Sequence, residues 1–262
     1  MLRILCISGL CLASALSAPA HAEWQVSAGL AARHLDVKEI GRNGQTLVNE
    51  RGWLPGVRVR ADYALPQWRL GVSADFYRND ISYDGRLQSG APFRTDTGTT
   101  MARLGIDAAY RLTETTHLVV GLERDEWRRR IRGQGNVLGL DERYSSWRLL
   151  GGAEFGLAHG TAGNLRARTL LVAAGPERLR VRFDQQVYDD ARFTTKAAAG
   201  ARLGLDFVPA ALPAMTIGME FDWLKVRRSD PAELRRGGVP MGTVAQPEHV
   251  RRAITFTVDY RF

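Results

Sequence analysis

The chain has 262 residues, a formal charge of +8 and only two cysteines, Cys6 and Cys11. In a cytosolic protein that basic balance would suggest nucleic acid as the partner; the export signal described next argues against it. Both cysteines lie inside that signal, so the rest of the chain has no disulfide and no thiol chemistry.

Arg3, an apolar run from Ile4 to Leu16 and the small residues ending Ala20-His21-Ala22 have the order of a secretory signal peptide, with cleavage expected near Ala22. The run is too short for a spanning helix, and Leu10 before Cys11 does not suit a lipoprotein cleavage site. The reading is therefore a removed segment, residues 1–22, followed by a single domain, residues 23–262.

Beyond Ala22 no apolar run is long enough for a membrane helix, and the dominant signal is strict alternation of apolar and polar residues. Trp24, Val26, Ala28, Leu30 and Ala32 share one face of a first strand. Eight segments repeat the pattern, with apolar faces running from Val57 to Tyr63, Trp68 to Phe76, Ala102 to Tyr110, Leu118 to Leu122, Trp147 to Phe155, Leu165 to Ala173, Ala197 to Phe207 and Met215 to Trp223. Ile254, Phe256, Val258, Tyr260 and Phe262 make a tenth. The segments approach the roughly 9 to 11 residues of a tilted transmembrane strand. Long connections are expected at 37–52, 78–98, 128–142, 175–191 and 227–247, and short ones at 65–67, 113–115, 158–163 and 208–214. Leu179, Val181 and Phe183, alternating with arginines after Gly175-Pro176, read as an extension above the membrane, because an eleventh spanning strand would give an odd count.

A last strand with Phe256, Val258 and Tyr260 on one face and Phe262 at its end resembles the assembly signal of bacterial outer-membrane β-barrels. A soluble β-sandwich also alternates, but aromatic residues at the strand ends, Trp24, Tyr63, Trp68, Tyr110, Trp147, Phe207 and Trp223, suit interfacial girdles. The resemblance implies an all-β, antiparallel, up-and-down transmembrane barrel of ten strands in the bacterial outer membrane. Short turns and both termini would face the periplasm and long loops the outside. Its partners would be outer-membrane lipid, lipopolysaccharide and the barrel assembly machinery.

Charge on the faces opposite the apolar ones must point inward, since a lipid-facing arginine costs roughly 2 to 4 kcal/mol at mid-depth. Folding the hairpins brings Arg58 near Asp75, Asp62 near Arg69, Arg103 near Asp125, Glu154 near Arg168 and Arg202 near Glu220. Ten strands enclose little more than side chains fill, so a salt-bridged, largely closed lumen is expected, with a narrow channel as the alternative.

Two further readings concern the loops. Arg128, Arg129, Arg130 and Arg132 crowd the third, and Arg228, Arg235, Arg236 and Arg252 the fifth, where they could bind lipopolysaccharide phosphates or another surface polyanion. The ten-strand architecture also resembles the omptin proteases, but the Asp-x-His element of that family is absent. A rim hydrolase would have to draw on His34, Asp36, Asp189, Asp190 and His249, with the two histidines meeting where strands one and ten close the barrel. No cofactor motif and no metal-ligand spacing is present.

Overall fold

The computed structural model describes residues 23–87 and 90–262; the expected signal peptide lies outside the described residues. The strands in chain order are β1 (Glu23–Ile40), β2 (Thr46–Ala64), β3 (Trp68–Arg86), β4 (Pro92–Arg111), β5 (Thr116–Ile131), β6 (Leu140–Gly160), β7 (Gly163–Ala174), β8 (Arg178–Phe183), β9 (Ala191–Thr194), β10 (Ala198–Pro209), β11 (Met215–Val226), β12 (Ala232–Arg236), β13 (Val239–Val244) and β14 (Glu248–Arg261). Ten of them form a closed antiparallel ring in the order β5-β4-β3-β2-β1-β14-β11-β10-β7-β6, with β6 pairing back onto β5. These are the ten segments read from the alternation.

In the half of the barrel nearer the short turns, the apolar residues face outward. Leu30, Val57, Val72, Leu104, Ile106, Leu149, Leu171 and Phe256 form a belt with 48–72% of their surface exposed. Aromatic pairs edge it toward the short turns: Trp24 against Tyr63 at 4.9 Å and Trp68 against Tyr110 at 4.8 Å between ring centroids. A side-chain period of two and a lipid-like exterior explain the pattern together.

In the other half the phase inverts. On β1 the apolar positions pass from Leu30 outside to Leu35 and Val37 inside; on β5 they pass from Leu122 outside to Trp127 and Ile131 inside. Leu35, Val37, Leu54, Tyr77, Ile81, Met101, Trp127, Tyr144, Leu179 and Val181 pack there as a buried apolar core, each fully buried aliphatic adding about 1.5 to 3 kcal/mol.

This inversion corrects the expected loops. Most of residues 37–52 and 78–98 is strand, 128–131 and 140–142 prolong β5 and β6, and the turns shrink to short segments such as 41–45, where Gly44 supplies a φ of 80°. The sequence period does not stop at the end of the apolar belt; only its phase changes.

β8 carries on where β7 stops. Arg148 of β6 pairs with Ala174 of β7, and three residues further along β6, Ser145 pairs with Arg178 of β8. The four-residue step on the other side makes a bulge at Gly175–Glu177. β9 pairs with β8 and continues the wall in line with β10, with Ala191 and Phe193 buried inside, and β12–β13 form a separate hairpin.

Candidate functional site: a tied lumen and a basic outer wall

The lumen is crossed by guanidinium groups. Arg103 on β4 donates from Nη1 to Asp222 Oδ2 at 2.9 Å and from Nη2 to Glu220 Oε1 at 3.0 Å, both on β11, while its Nε holds Asp75 Oδ2 at 3.0 Å. β4 and β11 stand on opposite sides of the ring, so this tie spans the full width. Arg33 adds a bond to Asp222 at 3.1 Å, and Arg202 joins Asp222, at 2.9 Å, to Glu123 of β5.

A second tie lies farther from the short turns. Arg251 on β14 donates to Asp125 Oδ2 on β5 at 3.2 Å, again across the barrel, and its other arm holds Glu177. Glu177 reaches the lumen because the Gly175–Glu177 bulge turns it inward, to 1% exposure. At the short-turn end Arg60 bridges Asp107 at 2.7 Å and Asp62 at 2.6 Å.

The expected hairpin pairs are placed as follows. Arg58 contacts Asp75 at 3.0 Å, Glu154 contacts Arg168 at 2.8 Å, and Arg69 lies 3.7 Å from Asp62, as Arg202 does from Glu220. Arg103 and Asp125 are register partners but do not bond: Arg103 turns to β11, and Asp125 takes Arg148 at 2.5 Å. Local hairpin folding finds neighbours, whereas arms as long as arginine's select partners across the ring.

Above these ties Arg129 is the hub of an acidic cluster. Its Nη1 donates to Glu39 at 2.6 Å, and its Nη2 to Glu50 at 2.8 Å; Glu142 lies 3.0 Å away. Tyr144 donates to Glu142 at 2.8 Å, and Thr97 to Glu50 at 3.0 Å. Burial, only partly offset by Arg129, holds the Glu50 and Glu142 carboxyls above their ordinary range, and burial likewise pushes the Tyr144 hydroxyl up.

Arg129 was expected on a loop, free for polyanions; at 1% exposure it is a lumen residue. Its neighbours do face outward. Arg128 pairs with Asp141, Arg130 lies 3.8 Å from the same carboxylate, and Arg132 pairs with Asp80. In the fifth connection, Arg228 donates to the Ile40 carbonyl at 3.2 Å, Arg235 pairs with Glu233 at 2.6 Å, and Arg236 lies over the Tyr188 ring. Arg252 is outward on β14, opposite Asp36 of β1.

The outer wall carries a stronger feature than either loop group. Arg128 of β5 is opposite Arg143 of β6, Arg143 is opposite Arg180 of β8, and Arg180 is opposite Arg192 of β9. Four arginines thus stand in one row across four adjacent strands. The carboxylates contacting the row are Asp141, serving Arg128 and, at 3.8 Å, Arg143, and Asp190, 2.7 Å from Arg180. Treating 128–142 and 175–191 as loops hid this register, although the alternating Arg178, Arg180 and Arg182 signalled a strand.

The hydrolase candidates do not converge. His34 faces outward against the Trp53 ring at 5.1 Å, whereas His249 faces inward at 1% exposure. β1–β14 pairing sets His34 opposite Ile254 and His249 opposite Glu39, so the histidines lie on different faces of the wall. His249 Nε2 lies 3.0 Å from Glu177 Oε2 under Trp127 and Tyr144, closed to any substrate. Asp189 accepts the backbone N–H of Gly237 at 3.0 Å and of Gly238 at 2.8 Å, fastening the β12–β13 hairpin, and Asp190 is taken by Arg180. Among the described residues no group of three His, Cys, Asp or Glu side chains is arranged to hold a metal ion.

The sequence matches no protein-family model and no curated protein. Solved structures with a similar fold include the outer membrane protease OmpT from Escherichia coli, at a TM-score of 0.53 and 10% identity over 92% of this chain and 96% of that one. The translocator domain of the autotransporter NalP from Neisseria meningitidis matches at a TM-score of 0.51 and 11% identity, over 91% and 88% of the two chains. Likeness at such identities concerns fold and not activity: the chain is a closed ten-stranded antiparallel barrel of the kind found in bacterial outer-membrane proteins.

Proposed function

We propose that the protein is an exported outer-membrane barrel, cleaved near Ala22, which acts from its outer surface by binding polyanions that carry phosphate or sulfate groups, lipopolysaccharide among them. The short turns then face the periplasm, and the outward face of β14, with Phe256, Val258, Tyr260 and the adjacent Phe262, serves the assembly machinery.

The arginine row carries this reading. Like charges directly opposite one another on neighbouring strands are destabilising, yet Arg128, Arg143, Arg180 and Arg192 occupy four such positions in succession. Strands lie about 4.8 Å apart, so the row presents guanidinium groups along roughly 14 Å, a spacing suited to a chain or headgroup bearing several anions. The row lies just beyond the apolar belt, past Trp147, where phosphorylated headgroups would meet the wall. The ties across the lumen weigh against the channel alternative.

Binding of the folded barrel to immobilised heparin and to lipopolysaccharide tests the proposal. Both should weaken on raising salt, because exposed charge contacts are screened, and both should fall in an Arg143→Gln, Arg180→Gln, Arg192→Gln variant. Binding that withstands salt and the triple substitution would overturn it.

A further inference from the structure

Beneath the Arg103 tie the short-turn half of the lumen keeps a cavity of about 240 Å³, which reaches Gln25, Val208 and Arg261 at the rim. Its charges are unevenly matched. Asp62, Asp75, Asp107, Glu123, Glu154 and Glu220 each take at least one arginine. Asp206 and Asp259, lining the same cavity, are in no ion pair among the described residues.

Arginine is left over on β7, the strand next to the one that carries Asp206. Arg69 and Arg168 already hold Glu154 at 2.9 and 2.8 Å, and Arg166 reaches the same carboxylate only at 3.7 Å. Arg166 stands opposite Asp206 in the β7–β10 register, yet the two do not close into an ion pair.

The acidic corner is shaped by missing side chains. A Cβ at Gly218 would lie 2.5 Å from Thr257 Oγ1 and 2.9 Å from Asp206 Oδ1; one at Gly29 would lie 2.2 Å from Asp259 Oδ1. Thr257 is 3% exposed and lines the cavity beside Asp259. Two carboxylates and a hydroxyl therefore gather on β10 and β14, and guanidinium groups with spare donors stand beside them on the adjacent β7.

We propose that this cavity binds a small zwitterion, its ammonium group taken by Asp206, Asp259 and Thr257 and its phosphate or carboxylate by Arg166 and Arg168. An ammonium offers three donors to these three acceptors, and arginine suits a planar or tetrahedral anion. The volume is below that of drug-sized sites, roughly 300 to 1,000 Å³, which restricts the ligand to a few heavy atoms. The site is separate from the outer arginine row and stands without it.

Calorimetric titration of the folded full-length barrel with O-phosphoethanolamine tests the proposal, with inorganic phosphate and ethanolamine as the separate halves. The zwitterion should bind, and each half should bind at least about tenfold more weakly, the loss of one charge-assisted contact. Arg166→Gln and Asp206→Asn/Asp259→Asn should each weaken the zwitterion by a similar factor, with folding checked by heat-dependent gel mobility. If Asp259→Asn impairs folding, Asp206→Asn alone serves. A lysolipid with the same headgroup separates the sources: tighter binding identifies a lipid, equal or weaker binding a free solute. No binding of the zwitterion, or binding matched by one half and unaffected by the substitutions, would overturn the proposal.

Discussion

In the short-turn half, arginines and carboxylates fill the lumen while leucine, valine and aromatic residues face outward; in the other half Leu35, Leu54, Trp127 and Tyr144 pack the lumen around the Arg129 cluster while Arg128, Arg143, Arg180 and Arg192 stand outside. The backbone is the same continuous ladder in both. What differs is the surroundings each half is built for. Against an apolar exterior the polar face has to turn inward, and in a ten-stranded ring it must then pair across a narrow space. Where the exterior is water the ordinary arrangement returns, apolar inside and charged outside.

The largest effect is expected from breaking the ionic half. Arg103→Ala would take the 3.0 Å partner from Glu220 and leave Asp75 to Arg58 alone and Asp222 to Arg33 and Arg202, and removing one partner from a buried ionic cluster costs up to about 3 to 5 kcal/mol. Urea unfolding in lipid vesicles should show it as a large drop in midpoint; an unchanged midpoint would remove the ties from the account of stability.

A core deletion in the far half should approach that size but act locally. Trp127→Ala or Leu54→Ala removes a side chain at 2% or 0% exposure, a loss of about 2 to 5 kcal/mol. Amide exchange should speed up in the ends of β1, β2, β5 and β6 remote from the short turns and leave the ionic half protected. Uniform loosening would mean that the halves are not separable.

The acidic cluster gives a smaller, pH-dependent effect. Glu50 and Glu142 have carboxyls raised above the ordinary 4.5, so the folded state holds their protons more tightly than the unfolded chain. Stability from this source is complete below 4.5 and is lost as pH rises through the raised values. Protection near Glu50 and Glu142, taken relative to the intrinsic exchange rate at each pH, should therefore fall as pH rises through the raised values, and Glu142→Gln should flatten the profile; a wild-type protection profile that is already flat would contradict this. Neutralising the outer row should change stability least, within about 0.5 kcal/mol, while the proposed polyanion binding should fall.

Much of the fold was legible from residues alone. Trp68, Leu70, Val72 and Phe76 alternate so regularly that strand and face follow together, and Pro66 and Gln67 mark a tight turn. The strand extensions were not, because the apolar set changes parity between Ala32 and Leu35, and a reading tied to one phase takes the new phase for loop. The site was less legible still. Arg129 differs from Arg128 and Arg130 only in parity, yet that alone decides lumen or surface. The Arg143–Arg180–Arg192 register depends on β8 succeeding β7 beside β6, a consequence of the bulge at Gly175–Glu177 that no local pattern encodes. The tie between Arg251 and Asp125 joins residues 126 positions apart.

That the protein works from its outside, with a lumen tied shut, is tested most directly by planar-bilayer recording of the purified barrel. With Arg103 and Arg251 spanning the ring at two levels, insertion should leave the membrane electrically silent at every applied voltage. Discrete conductance steps from the folded wild-type barrel would contradict the closed lumen and restore the channel reading.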